Sequence, residues 1–288
     1  MKLQTTIEIK PSEWKIGYED KILMLGSCFS DEIGRQMEER KMAVTCNPFG
    51  TLYNPLSIAQ AIQKTELPAL IEHDGLWHSM AHHGAFSRAT KAEAEKAVKD
   101  SIMTMQRALE EATVVIVTFG TAWVYELTDE RMKELTNERI VGNCHKLPEK
   151  NFTRRRLSVE EIVDAWQPIL AQYPDKKWLF TVSPIRHIRD GLHENQLSKA
   201  TLLMAVDQMV NSTWSNGKWH YFPSYEILLD ELRDYRFFAD DLVHPSGMAV
   251  EYIWERFCET FCTPQTINAM HIAHKEWKQA HHRPLHEA

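Results

Sequence analysis

The sequence predicts an α/β protein of three layers, α/β/α, built on a central parallel sheet of five strands with two irregular excursions. Three observations lead there. Short apolar runs of strand type alternate with longer segments of helical spacing, the pattern of a parallel sheet with right-handed crossovers. Glycine or serine stands where several of those runs stop. No Gly/Ser run, Pro-rich stretch or charge block divides the 288 residues, so a single domain over 1–288 is the economical reading.

The elements follow in order. The first strand is the apolar run 21–26, which stops at Gly26-Ser27-Cys28-Phe29-Ser30. Phe29, Ile33 and Met37 then fall on one helical stripe. A second strand is expected over 42–46. Residues 63–90 break the alternation and are expected as an excursion with a short hairpin. Val98, Ile102, Met105 and Leu109 mark a helix before the clearest strand, 113–119. Residues 124–156 form the second excursion, and Arg154-Arg155-Arg156 at its end reads as a solvated edge before a helix start. Ser158-Val159-Glu160-Glu161 is a capping box that opens a helix with Val159, Ile162, Val163 and Trp166 inward, and Pro168 is expected to bend or end it. A strand over 177–182, a helix over 195–214 and a short strand over 219–222 come next. Ser246 is the expected N-cap of a closing helix whose stripe is Val250, Ile253, Trp254, Phe257, Cys258 and Phe261. The core spans about 20–262, and 263–288 is a helical tail that frays beyond His281-His282-Arg283.

Composition excludes several function classes. Hydrophobic residues make up 43% and charged residues 25%, as in ordinary globular proteins. A formal net charge of −7 argues against an electrostatic role on nucleic acid or membrane surfaces. No run approaches the roughly 18 apolar residues of a membrane span. Residues 1–10 contain no hydrophobic signal core, so a cytoplasmic protein is expected from the sequence as it stands. Cys28, Cys46, Cys144, Cys258 and Cys262 cannot all pair and match neither a disulfide framework nor a zinc ribbon; Cys258 and Cys262, one helical turn apart on an apolar stripe, are expected as free buried thiols. His78, His82 and His83 lack a carboxylate or thiol at ligand spacing, so no metal and no cofactor is expected. Glu72 and Glu126 have no spacing that supports glycosidase chemistry.

The chemistry rests on two segments. Ser27 ends a buried strand at the amino end of a helix, where unpaired N–H groups and the positive dipole end favour a developing oxyanion. The bland reading of the same serine is a helix cap. More than two hundred residues later comes Asp240-Asp241-Leu242-Val243-His244-Pro245-Ser246. Asp241 and His244 on one short loop can pair, the carboxylate fixing the imidazole tautomer and leaving Nε2 free for a serine proton. Serine, histidine and aspartate then fill every role of an acyl-transfer triad. Cys28 offers a competing thiol nucleophile.

With both segments in view, the chain resembles the GSCFA family, a branch of the SGNH (GDSL-like) hydrolases. Gly26-Ser27-Cys28-Phe29-Ser30 is that family's name motif with Ser for the final Ala. Asn47-Pro48-Phe49-Gly50-Thr51, Thr118-Phe119-Gly120-Thr121-Ala122-Trp123, Asn143-Cys144-His145-Lys146, Ser183-Pro184-Ile185-Arg186-His187 and Asp241-Leu242-Val243-His244-Pro245 are similar to its further blocks. The resemblance implies a flavodoxin-like SGNH domain and a serine esterase that removes a small acyl group, acetyl on a carbohydrate or a similar ester. It implies Ser27 as nucleophile, His244 as base and Asp241 as its orienting partner. It implies the N–H groups of Ser27 and Gly50 as oxyanion donors, with Asn54, Gly120, Thr121 and His145 as substrate contacts. Arg186 and His187, just past the fourth strand, are expected either to contact a polar or anionic substrate group or to scaffold the loop through hydrogen bonds. The sequence departs from the SGNH pattern at one point: Gly120 is followed by Thr121, with no Asn. Asn143 or His145 is the expected substitute donor, and a missing donor would cost about 10²–10³ in rate. The competing class is a binding or scaffold protein on a hydrolase fold.

Overall fold

Leu23 and Leu25 point to one side of the first strand, while Ile22 and Met24 point to the other, and this alternation divides the whole core. The structure, a computed structural model, describes residues 4–281 except 137, 214 and 216. The chain runs β1 (Lys21–Gly26), α1 (Cys28–Glu38), β2 (Ala43–Cys46), α2 (Pro55–Gln63), then a hairpin of β3 (Ile71–His73) and β4 (Leu76–His78). It continues with α3 (Lys91–Glu111), β5 (Val114–Phe119), β6 (Trp123–Leu127), α4 (Glu130–Thr136), β7 (Phe152–Arg156), α5 (Val159–Gln172) and β8 (Lys177–Val182). Then come α6 (Leu192–Val210), β9 (Trp219–Phe222), the single turn α7 (Ser224–Glu226) with a π-helical run Ile227–Leu232, α8 (Gly247–Phe261) and α9 (Pro264–Ala280).

Five strands form one parallel sheet in the order β2-β1-β5-β8-β9. One face carries Leu23, Leu25, Val115, Val117, Phe119, Trp178 and Phe180 against α2, α3, α5 and α6. The other carries Ile22, Met24, Val114, Ile116, Leu179 and Phe222 against α1, α8 and the π-helical run. The chain leaves β1 for β2 on one side and reaches β5 on the other. The β1/β5 crevice is thus the switch point of the sheet, where such folds place ligands.

The five expected strands match within one residue. The capping box at Ser158 and the Ser246 cap are present as hydrogen-bonded caps. Of the two outcomes expected at Pro168, a bend or an end, the end is excluded: α5 runs on to Gln172, because a proline interrupts one hydrogen bond and the buried face of Trp166, Ile169 and Leu170 holds the helix together. Arg154–Arg156 is the last part of β7, paired antiparallel with β6; Arg154 and Arg156 are exposed, as a solvated edge requires, while Arg155 forms ion pairs with Glu126 and Glu161. The helix expected over 195–214 begins earlier, at Leu192, and ends at Val210. The tail beyond His281 lies outside the described residues. All five cysteines are free, with Cys258 and Cys262 buried. No helix among the described residues is long and apolar enough to cross a membrane.

Candidate active site

The corner after β1 exists because Gly26 has no side chain. Its φ is +135°, and a Cβ there would stand 2.1 Å from the Thr118 carbonyl oxygen on β5. The Gly26 N–H donates to Asn47 Oδ1 at 2.8 Å, and its carbonyl accepts the Leu52 N–H at 3.0 Å, so the 47–52 loop braces the turn. Ser27 follows at 1% exposure as the N-cap of α1, its Oγ accepting the Phe29 N–H at 3.4 Å. Capping and a chemical role are compatible here, because so long a bond holds the hydroxyl loosely.

The second segment is a tight loop. Asp241 Oδ2 accepts His244 Nδ1–H at 2.6 Å, and Oδ1 accepts the N–H groups of Val243 and His244 at 2.8 and 2.9 Å. Those two N–H groups, with the imidazole, hold the Asp241 carboxyl down at about 2. Leu242 lies in the left-handed region, φ 58°, which folds the loop back on itself. The two segments meet: His244 Nε2 stands 3.8 Å from Cys28 Sγ, the residue beside Ser27. Burial, and secondarily Asp31, push the Cys28 thiol above its ordinary value.

Arg186 takes a place that substrate contact alone does not describe. Its Nη2 donates to the Leu242 carbonyl and its N–H to the Val243 carbonyl at 3.2 Å, while its guanidinium lies over Phe238 at 4.4 Å. It clamps the Asp241–His244 loop to the end of β8.

Other expected contacts are placed elsewhere. The Asn54 side chain caps α2, with Oδ1 on the Ser57 N–H and Nδ2 on Ser57 Oγ. Asn143 Oδ1 accepts the His145 N–H, and His145 Nε2–H donates to the Ser79 carbonyl at 2.8 Å with its ring 4.5 Å from that of His78. Burial pushes His145 down to about 4. His82, fully buried, bonds Ser79 Oγ and Ser101 Oγ and stacks on Phe49 at 4.0 Å, so it props the 47–52 loop. Thr121 Oγ1 accepts the Trp123 N–H and sits 3.1 Å from Ser198 Oγ. Among the described residues no three His, Cys, Asp or Glu side chains gather as a metal-holding group.

The main-chain donors are also engaged. The Ser27 N–H donates to the Thr118 carbonyl at a long 3.3 Å, and the Gly50 N–H donates to the Asn47 carbonyl at 2.7 Å. Gly50 sits in a turn, φ +74°, whose closing hydrogen bond uses that N–H. Gly120 and Thr121 both donate to the Tyr53 carbonyl.

One residue was missed. Lys199, fully buried on α6, donates from Nζ to the carbonyls of Gly120 and Ser183, each at 2.7 Å. It ties the ends of β5 and β8 together under the site. Burial lowers it to about 7. Its signal was present: Asn195, Ser198, Lys199, Leu202, Val206 and Met209 make one inward stripe, and a lysine on a buried stripe needs partners.

The chain belongs to the GSCFA family, whose model matches residues 21–257. No curated protein matches it.

Proposed function

Proceeding from that family membership, we propose that this GSCFA protein is a serine esterase that removes a small acyl group, acetyl on a carbohydrate or a similar ester. The observation that carries the reading is the meeting of the β1–α1 corner with the Asp241–His244 loop, at residues 216 apart in sequence. Ser27 Oγ attacks the ester carbonyl while its proton passes to His244 Nε2. The new Oγ–C bond sends the carbonyl electron pair to oxygen. Collapse breaks the ester C–O bond, and the leaving alcohol takes the proton from His244. Water then repeats the cycle with His244 as base and releases the acid. Asp241, held ionised by its two main-chain N–H bonds, keeps Nδ1 protonated and Nε2 available.

The 3.8 Å contact between Cys28 Sγ and His244 favours one second reading, a thiol nucleophile at Cys28. The raised thiol weighs against it, because the thiolate is the reactive form. Hydrolysis of p-nitrophenyl acetate by wild type, Ser27→Ala and Cys28→Ala separates the possibilities. Loss in Ser27→Ala alone, with fluorophosphonate labelling of Ser27, supports the serine. Loss in Cys28→Ala alone, with sensitivity to iodoacetamide, supports the thiol. Equal rates in all three remove the esterase reading and leave a binding protein on this fold.

A further inference from the structure

We propose that His187 is the side-chain donor of the oxyanion site, its Nε2–H pairing with the negative oxygen that forms when an ester is attacked at Ser27. The inference rests on the serine-esterase reading. It starts from a shortage. The main-chain N–H groups of Ser27, Gly50, Gly120 and Thr121 all donate to protein carbonyls, and no Asn follows Gly120. An oxyanion at this corner therefore needs a donor that is not already engaged.

His187 Nε2 is such a group. It is buried and has no hydrogen-bond partner among the described residues. A buried polar atom left unpaired is unfavourable, a cost removed when a ligand atom fills the gap. Its position fits. A methyl group built on Gly120 would stand 3.4 Å from His187 Nε2 and 3.4 Å from Ser27 Cβ, so the two side chains flank Gly120 at the β1/β5 switch point. Glycine at 120 puts no side chain between them, and the Tyr53 carbonyl oxygen, 3.0 Å from the same point, bounds that space.

The ring is held in place. The His187 N–H donates to Asn195 Oδ1 at 2.9 Å, and Tyr53 packs against the imidazole in a T-shaped contact at 5.9 Å. Lys199 fixes the strand ends on either side. Burial first, then Lys199, His244 and Arg154, hold the imidazole down to about 3. It stays neutral at working pH, so it does not compete with His244 as base, and its single ring proton serves the oxyanion in the Nε2–H tautomer.

His187→Ala and His187→Asn are compared with wild type and with Ser27→Ala. The alanine variant is expected to lose about 10²–10³ in kcat with KM within a few-fold, since the oxygen is charged only in the transition state. It is expected to lose affinity for methylboronic acid, a tetrahedral oxyanion mimic, by a similar factor. His187→Asn, which returns an N–H donor, is expected to recover at least tenfold of both. Wild-type kcat in His187→Ala overturns the proposal. So does an equal loss in both variants with boronate affinity unchanged, the mark of a structural role. If Ser27→Ala abolishes turnover in those cases, only the His187 role falls. If Ser27→Ala stays active, the esterase reading falls and this role with it.

Discussion

His244 Nε2 and Cys28 Sγ are 3.8 Å apart, although 216 residues separate them in the chain. The contact brings the imidazole to the amino end of α1, one residue beyond the serine. Asp241→Asn should leave this approach intact while turning the imidazole to the wrong tautomer. Its kcat is expected to fall by about 10³–10⁴ with little change in KM, read by steady-state ester hydrolysis. Activity within threefold of wild type would show that the carboxylate does not orient the base.

Arg186 acts on the same loop from β8. Arg186→Leu keeps apolar packing on Phe238 and Tyr235 but removes the donor to Leu242. A misplaced base costs rate more than binding, so kcat is expected to drop by about 10²-fold with KM within threefold. A rise in KM with unchanged kcat would instead make Arg186 a substrate contact.

Gly26→Ala tests the corner itself. The added methyl overlaps the Thr118 carbonyl at 2.1 Å in a backbone region that L residues avoid. The expected cost is at least about 2 kcal/mol in urea unfolding, from overpacking and backbone strain together. Wild-type stability would mean that β1 and β5 separate there at little cost.

Acid should unfold the protein through its buried histidines. His82 is held down to about 3 and His145 to about 4, both by burial first, against an unfolded value of about 6.5. With depressed folded values, the stability they carry is full above pH 6.5. It is lost as pH falls, because the unfolded chain takes up protons that the folded chain refuses. Each contributes a slope that approaches about 1.4 kcal/mol per pH unit midway between its folded and unfolded values and is about half that at either end. His82→Gln, which can still bond a serine hydroxyl, should remove one such slope in unfolding titrations between pH 4 and pH 7. An unchanged slope would place a protonated, solvated imidazole at that position.

Much of the architecture was legible. Strands of near-continuous Val, Ile, Leu and Phe between Gly and Ser stops read directly as buried parallel strands, and Ser158 and Ser246 as caps. The local geometry of two segments was legible as well: Ser27 at a strand-to-helix corner, and Asp241 paired with His244 on one loop. The engaged donors were not. The Gly50 N–H looked available until its turn closed on Asn47, and Asn54 looked like a ligand until it capped α2. Pro168 looked like a stop because its cost was visible and the packing that offsets it was not.

The residue order by itself determined the layered α/β class, the strand and helix positions and the family, because periodicity and turn chemistry act over a few neighbouring positions. Only the folded chain decided who bonds to whom: Arg186 on the Leu242 carbonyl, Lys199 under Gly120 and Ser183, His187 left unpaired beside Ser27. Hydrogen-bond partners are chosen by distance in space within a few ångströms, and segments that meet at the ends of a parallel sheet come from opposite ends of the chain.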